Sequence, residues 1–286
     1  MAYIKKPDWL KVRLHALENS GNISSILDKY DLNTVCNEAG CPNKGECFNN
    51  GTATFMILGK NCTRNCRFCK VTKAAPEELN KMEPENIAKA IREMNLKHTV
   101  ITSVTRDDLL DGGAEHFANT ILEIKKLCLK VTIEVLIPDF KGDYEALKKV
   151  VDAKPDIINH NVETIQSLYN SVRPMAVFER SIQLLRRVKE IDSSIFTKSG
   201  FMLGLGEKEE QVIELLKILR SVNCDIITIG QYLQPSKEHY DVVEYVHPDK
   251  FEKYEKIANE MAFKYVASAP LVRSSYHAED EFSCLK

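Results

Sequence analysis

From residue 54 onward, short apolar runs alternate with longer stretches whose apolar residues recur every three to four positions. TFMIL (54–58), HTVITSV (98–104), KVTIEVLI (130–137), DIINHNVE (156–163), FTKSGFMLGLG (196–206) and DIITIGQYL (225–233) predict six strands. EPENIAKAIREMN, with Pro84 in its first turn, AEHFANTILEIKKLC (114–128), YEALKKVVDA (144–153), ERSIQLLRRVKEI (179–191), EEQVIELLKILRSV (209–222) and FEKYEKIANEMAFKY (251–265) predict the helices. Short apolar strands separated by helices form a parallel sheet coated by helices. Six such units fall short of the eight of a closed barrel. The expected fold is therefore α/β, a partial (β/α)6 TIM-type barrel over residues 54–246. Residues 1–53 read as an N-terminal extension with short helices near Trp9–Leu17 and Ile23–Tyr30, and residues 247–286 as a C-terminal helix and tail.

A chain of 286 residues can bury one large core, and its 44% hydrophobic and 28% charged residues describe an ordinary globular protein. The net charge of −2 argues against a nucleic-acid surface. No apolar run approaches the ~20 residues of a membrane span, and MAYIKKPDWLKVRL lacks the apolar core and cleavage site of a secretory signal. A cytoplasmic location is expected, with no membrane partner.

Cysteine changes this picture. Six of the nine cysteines fall within 34 residues, in two groups of three. Cys62, Cys66 and Cys69 form Cys-x3-Cys-x2-Cys in CTRNCRFC, with Phe68 before the last cysteine. Three thiolates so spaced can hold three corners of a [4Fe–4S] cluster and leave the fourth iron open to a ligand. A zinc site would want four closed ligands, and no histidine lies within the next two dozen residues. Cys36, Cys41 and Cys47 form Cys-x4-Cys-x5-Cys among glycine, proline and asparagine, residues that mark a loop able to wrap a cluster. Cys128 and Cys224 sit on apolar stretches and read as small buried hydrophobes, and Cys284 as a tail residue.

Ligands of such a barrel belong at the C-terminal ends of its strands, where the polar residues gather. Arg106, Asp107 and Asp108 follow the second strand and could equally form a salt-bridged turn capping the next helix. Asn159 and Asn161 alternate along the fourth strand and share a face, which suits a ligand pocket or a hydrogen-bonded layer inside the barrel. Glu163 follows them, Lys198 and Ser199 lie in the fifth strand, and Gln231 and Tyr232 end the sixth. Arg173 either meets a ligand carboxylate or closes a helix, and His160 reads as a packed barrel residue.

The cysteine spacing resembles that of the radical S-adenosylmethionine (SAM) enzymes. With KPDWLK (6–11), SVTRDDLLDGGA (103–114), HNVET (160–164), VRP (172–174), KSGFMLGLGE (198–207), GQYLQPS (230–236) and RSSYHA (273–278), the chain resembles the lipoyl synthase family along nearly its whole length. The resemblance implies that Cys62, Cys66 and Cys69 hold the SAM-cleaving cluster. It implies that Cys36, Cys41 and Cys47 hold an auxiliary [4Fe–4S] cluster, completed by Ser275, which would also act in turnover. Gly112 and Gly113 resemble the glycine motif that meets the methionine amino group, although Ala114 stands where the general pattern has Glu. Asn159, Asn161, Glu163 and Arg173 are the further candidates for SAM contacts.

The implied reaction inserts two sulfur atoms, at C6 and C8 of an octanoyl chain amide-linked to a lysine, with the auxiliary cluster as sulfur donor. The implied partners are octanoylated lipoyl carrier domains, such as dehydrogenase-complex E2 subunits and glycine-cleavage H protein. An electron donor of the ferredoxin or flavodoxin kind and an iron–sulfur carrier that rebuilds the auxiliary cluster complete the set. Two alternatives stay open at this level. A tRNA methylthiolating enzyme also pairs two clusters but would need a basic RNA-binding module, and an electron-transfer protein would not need six βα units with converging polar groups.

Overall fold

The computed structural model describes residues 5–10, 20–38, Asn43 and 54–275. Cys41, Cys47 and Cys284 lie outside the described residues, as does most of the helix expected near Trp9–Leu17, of which a 3₁₀ turn at Asp8–Leu10 is described. Among the described residues, eight strands form one sheet in sequential order. They are β1 Asn33–Thr34, β2 Thr54–Ile57, β3 His98–Ser103, β4 Thr132–Leu136, β5 Ile157–Asn159, β6 Phe196–Leu203, β7 Ile226–Gln231 and β8 Tyr265–Ser268. Strand β1 pairs antiparallel with β2, while β2 to β8 are parallel throughout. Among the described residues the sheet does not close, with β1 and β8 as its two edges.

The helices are α1 Ser20–Tyr30, α2 Val35–Glu38, α3 Glu83–Glu93, α4 Ala114–Leu127, α5 Tyr144–Asp152, α6 Tyr169–Val172, α7 Phe178–Ile191, α8 Glu209–Ser221 and α9 Pro248–Glu260. One face of the sheet carries Ile101, Val135, Ile158, Ile227 and Ile229, which pack with Ile91, Phe117, Val150, Leu185 and Leu216 of the helices in a single core. Burying such aliphatic side chains is worth about 1.5–3 kcal/mol each, which is why the helices coat this face. The opposite face mixes apolar residues, Val100, Ile157 and Ile226 among them, with buried polar ones. Glu134 of β4 and Lys198 of β6, both fully buried, lie 3.3 Å apart, and Asn159 Nδ2 of β5 donates to Glu134 at 2.9 Å.

The open partial barrel expected from the sequence is present, with all six predicted strands. Two elements depart most from their expected bounds. The helix expected over 251–265 begins at Pro248, where the His247 side chain caps Asp249 N, and ends at Glu260. Ala262 then takes φ +61°, which breaks the helix, and 265–268 become a seventh parallel strand. The strand expected over 156–163 stops at Asn159. Pairing resumes only as a bridge from Glu163, at φ +66°, to Phe201.

Candidate active site

A cavity of about 430 Å³ lies at the C-terminal ends of β6 and β7, which supply Met202 and Gln231 to its wall. The loop after β2 contributes Phe68 and Cys69, the segment after β5 contributes Asn161 and Glu163, and α2 contributes Val35. Ser274 and Ser275 of the tail complete it. Parallel strands present their C-terminal ends on one side of the sheet, so groups more than 200 residues apart share this space.

The cysteine loop has no helix or strand of its own and is shaped by bonds to its neighbours. Cys62 N donates to Thr72 O at 2.8 Å, Thr63 N and Oγ1 donate to Thr105 O at 3.0 and 2.8 Å, and Arg67 N donates to Val172 O at 2.9 Å. Arg64, buried between the first two cysteines, forks onto Asp107 at 2.7 and 2.9 Å and reaches Asp139 at 2.6 Å. The Arg64 guanidinium, helped by other charges and a backbone bond, overcomes the desolvation of Asp139 and holds its carboxyl down at about 2. The TRDD segment thus divides its work: Asp107 braces the cysteine loop, while Arg106 pairs with Asp108 at 2.8 Å and donates to Leu58 O at 3.1 Å.

The three sulfurs lie close enough to feel one another. Desolvation pushes the Cys69 thiol up to about 12, and negative charge on Cys66 and Cys62 adds to the rise. Burial also raises Cys66, against the opposing pull of the Arg173 guanidinium beside it. Thiols raised in this way, as Cys66 and Cys69 are, ionise together only when a cation joins them, as iron in a cluster does. Two backbone amides already point at Cys62 Sγ, Arg64 N at 3.5 Å and Thr105 N at 3.4 Å, the N–H···S bonds that stabilise a ligating thiolate. Among the described residues no three His, Cys, Asp or Glu side chains close around a single metal ion. The donor set, three cysteines on one loop with two amides aimed at Cys62 Sγ, fits three corners of a [4Fe–4S] cluster.

Behind the sulfurs, Arg173 donates to Asn161 O at 3.1 Å, Val162 O at 3.2 Å and the Tyr169 hydroxyl at 3.2 Å. Burial raises the Glu163 carboxyl, countered by the charge of Arg173 and a bond from Asn161. Asn161 Oδ1 is shielded from solvent without a hydrogen-bond partner, although Asn161 lines the cavity, which marks it as an acceptor awaiting a donor. Asn159, expected beside it, is instead tied to Glu134 inside the barrel, because the strand ends between the two asparagines.

Gly112 and Gly113 do not line this cavity. They start α4 with φ +62° and +90°, and a Cβ on Gly113 would stand 2.4 Å from Leu58 Cδ1. Positive φ and close packing both call for glycine at these positions.

Of the other triad, Cys36 is buried in α2, next to the cavity-lining Val35. The N-terminal extension meets the tail directly, with Asn43 Nδ2 donating to Leu271 O at 3.0 Å.

Sequence reasoning overlooked Arg64, Asp139, Glu134 and His239, whose Nε2 lies 3.1 Å from Cys69 O. Glu134 carried a signal, a lone acid inside the apolar run KVTIEVLI; the others read as solvated loop residues.

Among the described residues no helix is long and apolar enough to cross a membrane. The profile of the Radical SAM superfamily matches residues 56–219. Among solved structures, SuiB of Streptococcus suis bound to S-adenosylmethionine superposes with TM-score 0.58 at 12% identity, over 77% of this chain and 51% of that one. Methylornithine synthase superposes with TM-score 0.55 at 12% identity, over 92% of this chain and 85% of that one, so the likeness is one of fold. The lipoyl synthase of Caldanaerobacter subterraneus subsp. tengcongensis is 58% identical over 276 residues, 96% of either chain. That of Caldicellulosiruptor saccharolyticus is 56% identical over 280 residues, 98% of either chain. An open parallel barrel, a three-cysteine loop at its ligand-binding end and this identity over nearly the full length lead to one conclusion: the chain belongs to the lipoyl synthase family of the Radical SAM superfamily.

Proposed function

We propose that this protein is a sulfurtransferase that inserts two sulfur atoms at C6 and C8 of an octanoyl chain borne on a lysine of a lipoyl carrier domain. E2 subunits of dehydrogenase complexes and the glycine-cleavage H protein are the carriers of that chemistry. Cys62, Cys66 and Cys69 hold one [4Fe–4S] cluster, and Cys36, Cys41, Cys47 and Ser275 hold the second. When bound, the first cluster supplies the electron that splits SAM into methionine and a 5′-deoxyadenosyl radical, and the second supplies sulfide. A ferredoxin or flavodoxin is the proposed reductant, and an iron–sulfur carrier the proposed source of new clusters.

The target C6 methylene and C8 methyl have no acidic proton, so no side chain of ordinary pKa removes one. What the chain's own residues contribute is placement and shelter. Arg173, buried, and Glu163, half-buried on the cavity wall, lie behind Cys66 with opposite charges, suited to the carboxylate and ammonium of the methionine end of SAM. Asn161 offers its unpartnered oxygen from the cavity wall. Phe68, Phe201 and Met202 supply an apolar wall for an acyl chain and keep water from a reactive carbon radical.

The observation that carries this reading is the meeting of Cys69, Val35 (next to Cys36) and Ser275 on one cavity, where a radical source and a sulfur source would serve one substrate. Anaerobic incubation of an octanoyl-lysine peptide with the protein, SAM and reductant, followed by mass spectrometry, should show the gain of two sulfur atoms together with 5′-deoxyadenosine. A peptide left unchanged while 5′-deoxyadenosine accumulates would overturn the sulfur-insertion reading.

A further inference from the structure

Residues 234–246, which follow β7, contain neither helix nor strand, yet they are anchored at their base and again in their middle. Gln231, fully buried, donates Nε2 to Glu244 O at 3.0 Å and accepts from Val246 N at 2.9 Å, so one amide holds the returning end of the segment. The Tyr232 hydroxyl donates to Tyr240 O at 2.6 Å.

From that base the segment reaches the cysteine loop. Tyr240 N donates to Arg67 O at 2.8 Å, and the Arg67 guanidinium sits 5.5 Å over the Tyr240 ring. Phe68 packs on the small cluster of Val172, Leu205, Tyr232 and Val242. His239 Nε2 meets Cys69 O at 3.1 Å, and its Nδ1 lies 2.8 Å from the Ser236 hydroxyl. A carbonyl only accepts, so Nε2 carries the proton and Nδ1 accepts from Ser236. The Ser236 hydroxyl in turn accepts from Glu238 N at 3.3 Å. A directed chain of hydrogen bonds thus ends on the peptide carbonyl of a cysteine, and each residue from Arg67 to Cys69 receives a contact from this strap.

We infer that His239 is a positioning residue for the cluster held by Cys62, Cys66 and Cys69, and that the strap carrying it shields that cluster from solvent. The inference rests on the cluster assignment made above and deepens it. The cysteine loop has no ladder of its own to fix its dihedrals, so turning the Cys69 carbonyl swings its side chain as well. Hydrogen bonds one step beyond a ligand orient it, and their loss weakens a metal site by about 10–100-fold. Solvent access has an electronic effect too: water stabilises the more highly charged, reduced cluster, so loosening the strap raises the reduction potential.

The test uses the anaerobically reconstituted full chain and its His239→Leu and His239→Gln variants. Leucine removes the donor, whereas the glutamine side-chain amide can still reach Cys69 O. Three quantities are read on the EPR signal of the reduced protein that shifts on adding SAM: its line shape, its potential in a redox titration, and its rate of loss in air. His239→Leu should broaden the signal, raise the potential and lose the cluster about tenfold faster than the unmutated protein. His239→Gln should restore all three towards the unmutated values. If His239→Leu cannot be loaded at all, recovery of loading by His239→Gln supports the inference and failure to recover overturns it. Identical potentials and air lability in the leucine variant and the unmutated protein also overturn it. Absence of any SAM-responsive signal in the unmutated protein instead rejects the cluster assignment itself, so the two failures are distinct.

Discussion

Ser275 stands on the wall of the cavity that also takes Cys69 and Val35, the residue before Cys36. Three thiolates leave one iron of a four-iron cluster without a protein ligand, and an alkoxide oxygen is a harder, poorer match to that iron than sulfur is. Such a ligand suits an iron that must be released as sulfide is extracted. On this proposal, Ser275→Ala lowers lipoyl formation about tenfold or more while SAM cleavage continues. Ser275→Cys keeps the iron but stalls turnover, because a thiolate holds it too firmly. Ser274→Ala should match the unmutated rate, so equal product from Ser275→Ala and Ser274→Ala, measured by mass spectrometry, would sink the ligand role. Arg64 is the other telling residue. It stands between two cysteines and looks solvated in the sequence, yet it is buried against Asp107 and Asp139. Its partners come from the ends of two later strands, information that no local pattern carries.

Strand β7 shows how an element can control a distant segment. Gly230 lies in its regular interior, and a Cβ there would stand 2.2 Å from Val272 O and 3.2 Å from an Arg273 guanidinium nitrogen. The tail runs against the strand, with Gln231 N donating to Pro270 O at 3.1 Å. A methyl group cannot share that space with backbone, so Gly230→Ala must push the tail, and Ser275 with it, off the cavity. The expected outcome is a loss of about 1–3 kcal/mol in stability and a larger fall in product than in 5′-deoxyadenosine. Equal falls in both, measured in one assay, would show that the tail does not depend on Gly230. Helices α3, α4, α5 and α8 lie where their apolar spacing put them, because each buries one stripe. Strand β8 has no counterpart among the expected elements: the apolar spacing of FEKYEKIANEMAFKY carries the expected helix to 265, whereas the turn at Ala262 ends it and pairing with β7 makes residues 265–268 extended.

At the scale of the whole molecule, acid should unfold this protein in two steps of the same sign. His160 is buried, with Nδ1 donating to Ile137 O at 2.8 Å and Nε2 accepting from the Ser181 hydroxyl at 2.9 Å. Burial, reinforced by the charge of Arg173, pushes its pKa down to about 4 from 6.5. Between these values the unfolded chain binds the proton and the folded chain does not. Stability from this residue is therefore full above pH 6.5 and declines by up to about 3 kcal/mol as the pH falls to 4. Asp139, held at about 2, adds a second loss as the pH falls below its unfolded value of 3.8. Urea midpoints measured from pH 7 to pH 4 should fall steadily, and His160→Gln should flatten that slope. An unchanged slope in the variant would assign the acid sensitivity elsewhere.

The sequence by itself determined the alternation of strands and helices, the side of the barrel on which ligands gather, and the two groups of three cysteines. All of these follow from local periodicity and spacing, which backbone geometry converts directly into elements and loops. It also marked Asn161, Glu163, Arg173 and Ser275, which the fold gathers around one cavity or its wall. Only the tertiary structure separated Asn159 from Asn161, set Gly112 and Gly113 at a helix start away from the cavity, and gave Arg64, Asp139 and His239 their partners. Those partners lie 75 residues away for Arg64 and Asp139, and 170 for His239 and Cys69. Contacts of that span are decided by how strands stack in the sheet and where their connecting loops come to rest. The physical reason is that a side chain's partner is chosen by packing in three dimensions, whereas its helix or strand is chosen largely by neighbours within a few residues.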